Sequence, residues 1–227
     1  MKKLSILLIL LFVVNLSSFA QKGKKPNYKK IEKEIKKKKS DFYYPKIWKK
    51  FMDADPDMSL DEKRYLYYGH IFQPSYSAYG HGSKFSDSLR TLIQIDSIDD
   101  QLLNLIVSIA DSVIEADAFD LRARNYQLYA LEELGNELDY AKKLTQIRII
   151  IHAILSSGDG ISQKTAFYVF NISHEYFMLG VLGYDFGGSQ SLIGQCDYLK
   201  VEKNEDEIEG IYFDISPSLN SLKNMFK

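Results

Sequence analysis

Ser156-Ser157-Gly158-Asp159-Gly160-Ile161-Ser162-Gln163-Lys164-Thr165-Ala166-Phe167-Tyr168-Val169-Phe170-Asn171-Ile172 is the stretch in which the hydrophobic pattern changes period. Just before it, Leu138, Ala141, Leu144, Ile147, Ile150, Ile151, Ile154 and Leu155 recur at helical spacing on more than one stripe, the pattern of a helix covered on two sides. Within it a Gly-rich turn leads to residues 165–172, β-branched and aromatic on both faces, as a central strand would be. After it, Tyr198 to Lys203 and Ile208 to Ile215 alternate, with Leu199/Val201 and Ile211/Phe213/Ile215 on the apolar side and Asn204 to Glu207 as a short polar connection, a hairpin signal. Helices therefore precede strands. The expectation is an α+β fold, with a helical half over 41–157 and a β-rich half over 158–227 made of a small antiparallel sheet and a short C-terminal helix, Ser218 to Phe226.

Working back toward the N-terminus, Leu121 to Leu134 reads as a helix that Gly135 can end. Ser97 followed by Asp99 and Asp100 reads as a helix start, with acids at the positive end of the dipole, and Ile98, Leu102, Leu105, Ile106, Ile109 and Val113 follow at helical spacing. Gln73 to Phe85 is rich in Pro, Ser, Gly, Tyr and His and reads as a long loop. Ser59-Leu60-Asp61-Glu62 fits a capping box opening a helix that stops before Pro74. A further helix over Tyr44 to Asp53 tolerates Pro45 in its first turn and offers Ile47, Trp48 and Phe51 for burial. Tyr28 to Lys39 completes the series, with Ile31 and Ile35 on one face.

Charge and the N-terminal segment bear on where the protein works. The 227 residues carry 29 Lys+Arg against 30 Asp+Glu, a net of −1, with one Cys. A lone Cys excludes an internal disulfide framework and a Cys-based zinc cluster, and the balanced charge gives no reason to expect nucleic acid. Lys2 and Lys3, the apolar run Leu4 to Val14, and Ser18-Phe19-Ala20 form the three parts of a secretory signal over residues 1–20, so the exported chain is expected to begin at Gln21, with no membrane-spanning helix. The expected location is the periplasm or the outer surface of a bacterium. The near-zero charge divides sharply: residues 22–50 hold thirteen Lys and three acids, whereas residues 51–227 are strongly acidic. The basic arm of residues 21–40, densest at Lys36 to Lys39, is a candidate for contact with an anionic surface; the simpler reading is that it leans on its own acidic body. Residues 41–227 are expected to form a single domain.

Two resemblances follow. Asp117 through Leu121-Arg-Ala-Arg-Asn-Tyr-Gln-Leu-Tyr-Ala to Leu134-Gly135 resembles the first helix of a tetratricopeptide-type repeat, departing from it at Ala118 and Ala141. The more specific one rests on an ordered series: Tyr43-Tyr44-Pro45, Ser59-Leu60, Leu66-Tyr67-Tyr68-Gly69, Phe72-Gln73-Pro74, Ser157-Gly158-Asp159-Gly160, Glu175-Tyr176, Gln190-Ser191-Leu192, Cys196-Asp197 and Ile211-Tyr212-Phe213-Asp214. In these the chain resembles domain-of-unknown-function family 4919, exported bacterial proteins. The resemblance implies a one-domain envelope or secreted protein and carries no reaction.

No complete catalytic motif is present. Asp53, Asp55, Asp57, Ser59 and Asp61 have calcium-loop spacing, but Met58 and Arg64 occupy the positions that need Gly and Glu. His174-Glu175 begins a zinc-protease signature that Met178 breaks, and Gly158 to Thr165 imitates a phosphate loop without its second Gly. No cofactor or metal is implied. Asp159, His174 and Glu175, with Asp197 and Asp214, are the weak catalytic candidates for an envelope hydrolase with its site near Gly158 to Gly160. The leading expectation is a non-catalytic binding protein for a peptide, partner protein or glycan, with Tyr68, Tyr76, Tyr79 and His81 as ligand-binding candidates, since flat rings with polar tips suit such surfaces.

Overall fold

The computed structural model describes residues 23–78, 84–95 and 98–225. The leader segment of residues 1–20, Tyr79, His81, Ser97 and Phe226 lie outside the described residues.

The first three helices build one wall. Helix α1 (Tyr28–Ile35) opens where the Asn27 side chain accepts from the Lys30 N–H at 3.0 Å, and it buries Ile31 and Ile35. It stops at Ile35, earlier than expected. Lys36 and Lys37 pair back to Glu32 and Glu34, and the chain then turns through Lys37 to Ser40. Residues 23–35 of the basic segment are docked on the body: the Lys24 N–H donates to the Ser156 carbonyl at 3.0 Å, and the Arg64 guanidinium donates to the Lys24 carbonyl. Helix α2 (Tyr44–Met52) carries Pro45 in its first turn and buries Ile47 and Phe51. Helix α3 (Leu60–Gly69) begins with the expected capping box: the Glu62 N–H donates to Ser59 Oγ at 3.2 Å, and the Ser59 N–H donates to Glu62 Oε2 at 2.8 Å. A single 3-10 turn, His70–Phe72, follows. Gly69 lets α1 and α3 approach closely, since a Cβ there would lie 3.1 Å from Ile35 Cγ2.

Helix α4 (Lys84–Leu92) falls partly in the stretch expected to be loop. Helix α5 (Asp100–Ala116) is capped by Asp99, whose carboxylate accepts from the Leu102 N–H at 2.9 Å. Asp120 caps α6 (Leu121–Glu133), and Gly135, at φ 66°, ends that turn in the left-handed region that disfavours a Cβ. Helix α7 (Glu137–Leu155) buries residues on several sides, as its pattern suggested. Helices α4, α5 and α6 enclose one apolar cluster around Leu89, Ile106 and Val113. A larger one joins α1, α2, α3, α6 and α7 to the sheet, so α6 serves both, with Ala123 and Ala130 in the first and Leu121 and Leu128 in the second.

The sheet comprises β1 (Phe167–Tyr168), then, after helix α8 (Ser173–Val181), β2 (Phe186–Ile193), β3 (Cys196–Val201) and β4 (Gly210–Asp214), in the order β1-β4-β3-β2. Helix α9 (Ser216–Met225) follows. The β3–β4 hairpin is the expected one. The class is α+β as expected, but two details differ. The sheet is mixed, because β1 pairs parallel with β4. And β1 is a two-residue edge strand, not a central one: residues 166–170 are buried because helices cover that edge, as where the Tyr68 hydroxyl, itself 3.0 Å from the Ala153 carbonyl of α7, reaches toward the Tyr168 carbonyl. Among the described residues no helix is long and apolar enough to cross a membrane.

Candidate functional site

The Tyr-rich segment supplies posts of the core. Tyr67 and Tyr68 are both fully buried, because α3 is covered on all sides from Arg64 to Gly69. Tyr68 donates its hydroxyl to the Ala153 carbonyl at 3.0 Å, and burial pushes its pKa up to about 12. Tyr67 donates to His174 Nδ1 at 2.7 Å, and His174 Nε2–H donates to the Phe119 carbonyl at 2.9 Å. Burial drives the His174 pKa down to about 4, so the ring is neutral at neutral pH and both its nitrogens are committed. The Tyr44 hydroxyl and His70 Nδ1 share a hydrogen bond of 3.0 Å in the same aromatic layer. Of the expected ligand-binding residues, Tyr68 therefore offers no surface. Tyr76 is half-buried and donates its hydroxyl to the Phe170 carbonyl at 3.1 Å.

The acid–base candidates serve separate local roles. Asp159 is exposed, and its carboxylate accepts from the Ile161 N–H at 2.9 Å. The glycines beside it answer a packing need: a Cβ on Gly158 would collide with the Thr165 carbonyl oxygen, well inside 3.0 Å. His174 and Glu175, adjacent on α8, face different neighbours, His174 toward α3 and Glu175 toward the sheet. Asp214 accepts from the Ser216 N–H at 3.0 Å in the turn that leads into α9. Next to it in register lies Cys196, whose thiol burial pushes up to about 11. The calcium-like series is divided likewise: Asp53 and Asp55 pair with Lys49 and Lys50, and Ser59 closes the capping box. Among the described residues no three His, Cys, Asp or Glu side chains gather where they could hold a metal ion.

What the structure does bring together is a carboxyl pair between α8 and the sheet. Glu175 is wholly buried and hydrogen-bonds the Asp197 carboxylate of β3, which is 5% exposed. Gln190 of β2 donates to Asp197 Oδ2 at 2.6 Å, and Tyr176 donates its hydroxyl to Gln190 Oε1. Burial first, then the Asp197 charge, raises the Glu175 pKa to about 9, so Glu175 holds a proton at neutral pH and Asp197 is the acceptor. Glu175 Oε1 finds no partner. The sequence supplied both acids but not their pairing, which depends on α8 lying across a strand that starts fifteen residues beyond its end.

A broad concavity lies elsewhere, beside the β3–β4 hairpin. It has a volume of about 1080 Å³ and is lined by Phe186, Gly187 and Gly188 of β2, Tyr198 and Lys200 of β3, and the hairpin loop. Between Phe186 and Gln190 the register of β2 on β3 slips, and Gly188, at φ 78°, absorbs the bulge. The Tyr198 ring lies over Gly210, where a Cβ would collide with it, and tilts against Tyr212 at 4.7 Å. Gly187-Gly188 is the sequence mark of this bulge, but in a run of Gly, Ser and Gln without alternation nothing identifies the strand that it interrupts.

The family model described as Domain of unknown function (DUF4919) matches residues 29–224. No curated protein and no solved structure matches the chain.

Proposed function

Because the chain belongs to the DUF4919 family, whose description assigns no reaction, we propose from its own geometry that it is an exported, non-catalytic binding protein of the bacterial envelope. Its ligand-binding surface is the cleft between the β2 bulge and the β3–β4 hairpin, and its ligand is a peptide, protein segment or glycan. The observation that carries this reading is the cleft itself: an aromatic ring, Tyr198, and a cation, Lys200, line it where Gly187 and Gly188 of the edge strand place no side chain. Such a surface suits alternating apolar and hydroxyl or carbonyl groups. The residues with acid–base chemistry support the non-catalytic part, since His174 has both nitrogens committed and Asp159 serves its own turn. The basic N-terminal segment completes the surface. Lys29, Lys30, Lys33, Lys38 and Lys39 are exposed, and a docked α1 holds the first three over the body, where they can meet an anionic envelope surface.

The test is capture of envelope components by immobilised chain Gln21–Lys227 and by a Tyr198→Ala/Lys200→Glu variant. The expected result is a retained component that the variant loses; identical capture by both overturns the reading. N-terminal sequencing of the exported protein should begin at Gln21, and an intact Met1 in the membrane fraction would remove the export signal from the proposal.

A further inference from the structure

Gly210 and Tyr198, on neighbouring strands, make one side chain into a fixed platform. A Cβ on Gly210 would lie 2.6 Å from both Cε2 and the hydroxyl oxygen of Tyr198 and closer still to the Cζ between them, so it would meet the ring over its face, not at its edge. The ring therefore lies flat on the Gly210 backbone, and Tyr212 tilts against it at 4.7 Å. Its second face turns to the cleft that Tyr198 lines. Lys200, two residues on and so on the same side of β3, stands about 7 Å along the strand. Around the ring the cleft carries both signs of charge, Lys200 and Lys203 against Glu202, Glu207 and Glu209, all of them exposed. Among the described residues none of these five makes an ion pair or a side-chain hydrogen bond, so ammonium donors and carboxylate acceptors both stand ready for a ligand.

We propose that the cleft takes a neutral oligosaccharide, with one sugar ring stacked on the outward face of Tyr198 and its hydroxyls accepting from Lys200 and donating to the rim carboxylates. The proposal rests on the cleft being the ligand-binding surface and narrows what it binds. A pyranose presents polarised C–H groups on one face and hydroxyls around its perimeter. The first match the negative face of an aromatic ring, and the second, as donors and acceptors at once, match a rim of both signs. Three carboxylates against two cations disfavour a polyanion. A peptide would be held by pockets for its apolar side chains or by an open strand edge. The rest of the apolar lining is already engaged: the Phe186 ring packs edge-on to Tyr176 at 5.3 Å, Val201 is buried, and Ile208 packs against the main core. Strand β3, which carries the platform, is paired on both sides. A volume of about 1080 Å³ stands at the upper end of ligand clefts, room for several sugar units and not for one alone.

The test is saturation-transfer NMR on the whole exported chain with a mixture of cellohexaose, xylohexaose and mannohexaose, beside hyaluronan as the polyanion and tryptic peptides of casein. Saturation should pass to the C–H protons of at least one neutral oligosaccharide, and its affinity should be unchanged by added salt, since no charge is neutralised. Tyr198→Ala should weaken binding at least tenfold, while Tyr198→Phe, which keeps the ring, should retain most of it. Gly210→Ala keeps the tyrosine and lifts it from its seat, so a folded Gly210→Ala protein should lose binding as Tyr198→Ala does. Silence from all three neutral sugars overturns the proposal. So does preference for hyaluronan. Casein peptides bound through Tyr198 in place of the sugars would overturn the glycan and leave the cleft standing, whereas sugar binding indifferent to Tyr198→Ala would overturn both.

Discussion

Replacing Glu175 with Gln should make the protein more stable at slightly alkaline pH and remove much of its pH dependence. The folded carboxyl keeps its proton up to about pH 9, whereas in the unfolded chain it titrates near 4.5. A group whose pKa is raised on folding contributes stability fully present below the unfolded value and lost as pH rises toward the folded one. The useful window is pH 7.5–8.5. Below it, His152 and His174, both depressed to about 4 by burial, begin to draw protons into the unfolded state and cost stability as pH falls. Above it, the Cys196 thiol, raised to about 11, adds a slope of the same sign as Glu175. Within the window the folded state binds close to one extra proton at Glu175, a slope approaching about 1.4 kcal/mol per pH unit, or about 1 kcal/mol from pH 7.5 to pH 8.5. In the Glu175→Gln variant the side-chain amide keeps the shape and can still donate to Asp197 without the ionisation. Urea unfolding at several pH values reads this directly: the wild type should lose about 1 kcal/mol across the window while the variant's curve stays nearly flat. A variant that keeps the wild-type slope, or is destabilised equally at both ends, would refute the shared proton between α8 and β3.

Tyr67→Phe should cost about 1–3 kcal/mol in the same unfolding measurement, since it strands a buried His174 nitrogen that accepts at 2.7 Å without opening a cavity; a loss too small to measure would mean that water reaches the ring. Gly158→Ala should cost at least about 3 kcal/mol or prevent folding, because the added methyl collides with backbone oxygens of Thr165 and Ala166 and neither can rotate away. A well-folded Gly158→Ala protein with an unchanged unfolding midpoint would show that the loop has room that this packing denies.

How much of this was legible in the sequence depended on how far apart the interacting groups lie. The Ser59/Glu62 box and the β3–β4 hairpin were readable because each partner is a few residues from the other, so the pattern is its own evidence. Of residues 165–172, read as a central strand, 166–171 are buried but at the sheet edge, since apolar residues on both faces record burial without saying whether a strand or a helix does the covering. The carboxyl pair was readable only as two separate acids. Strand β2 was missed for the opposite reason. Leu192 and Ser191 are both exposed, so neither face needs an apolar stripe, and a run of Gly, Ser and Gln looks like loop. Leu192 and Ile193, adjacent in the strand, turn to opposite faces and are both exposed, so they form no stripe by which alternation could mark the strand, and its place at the sheet edge is set by pairing with β3 alone.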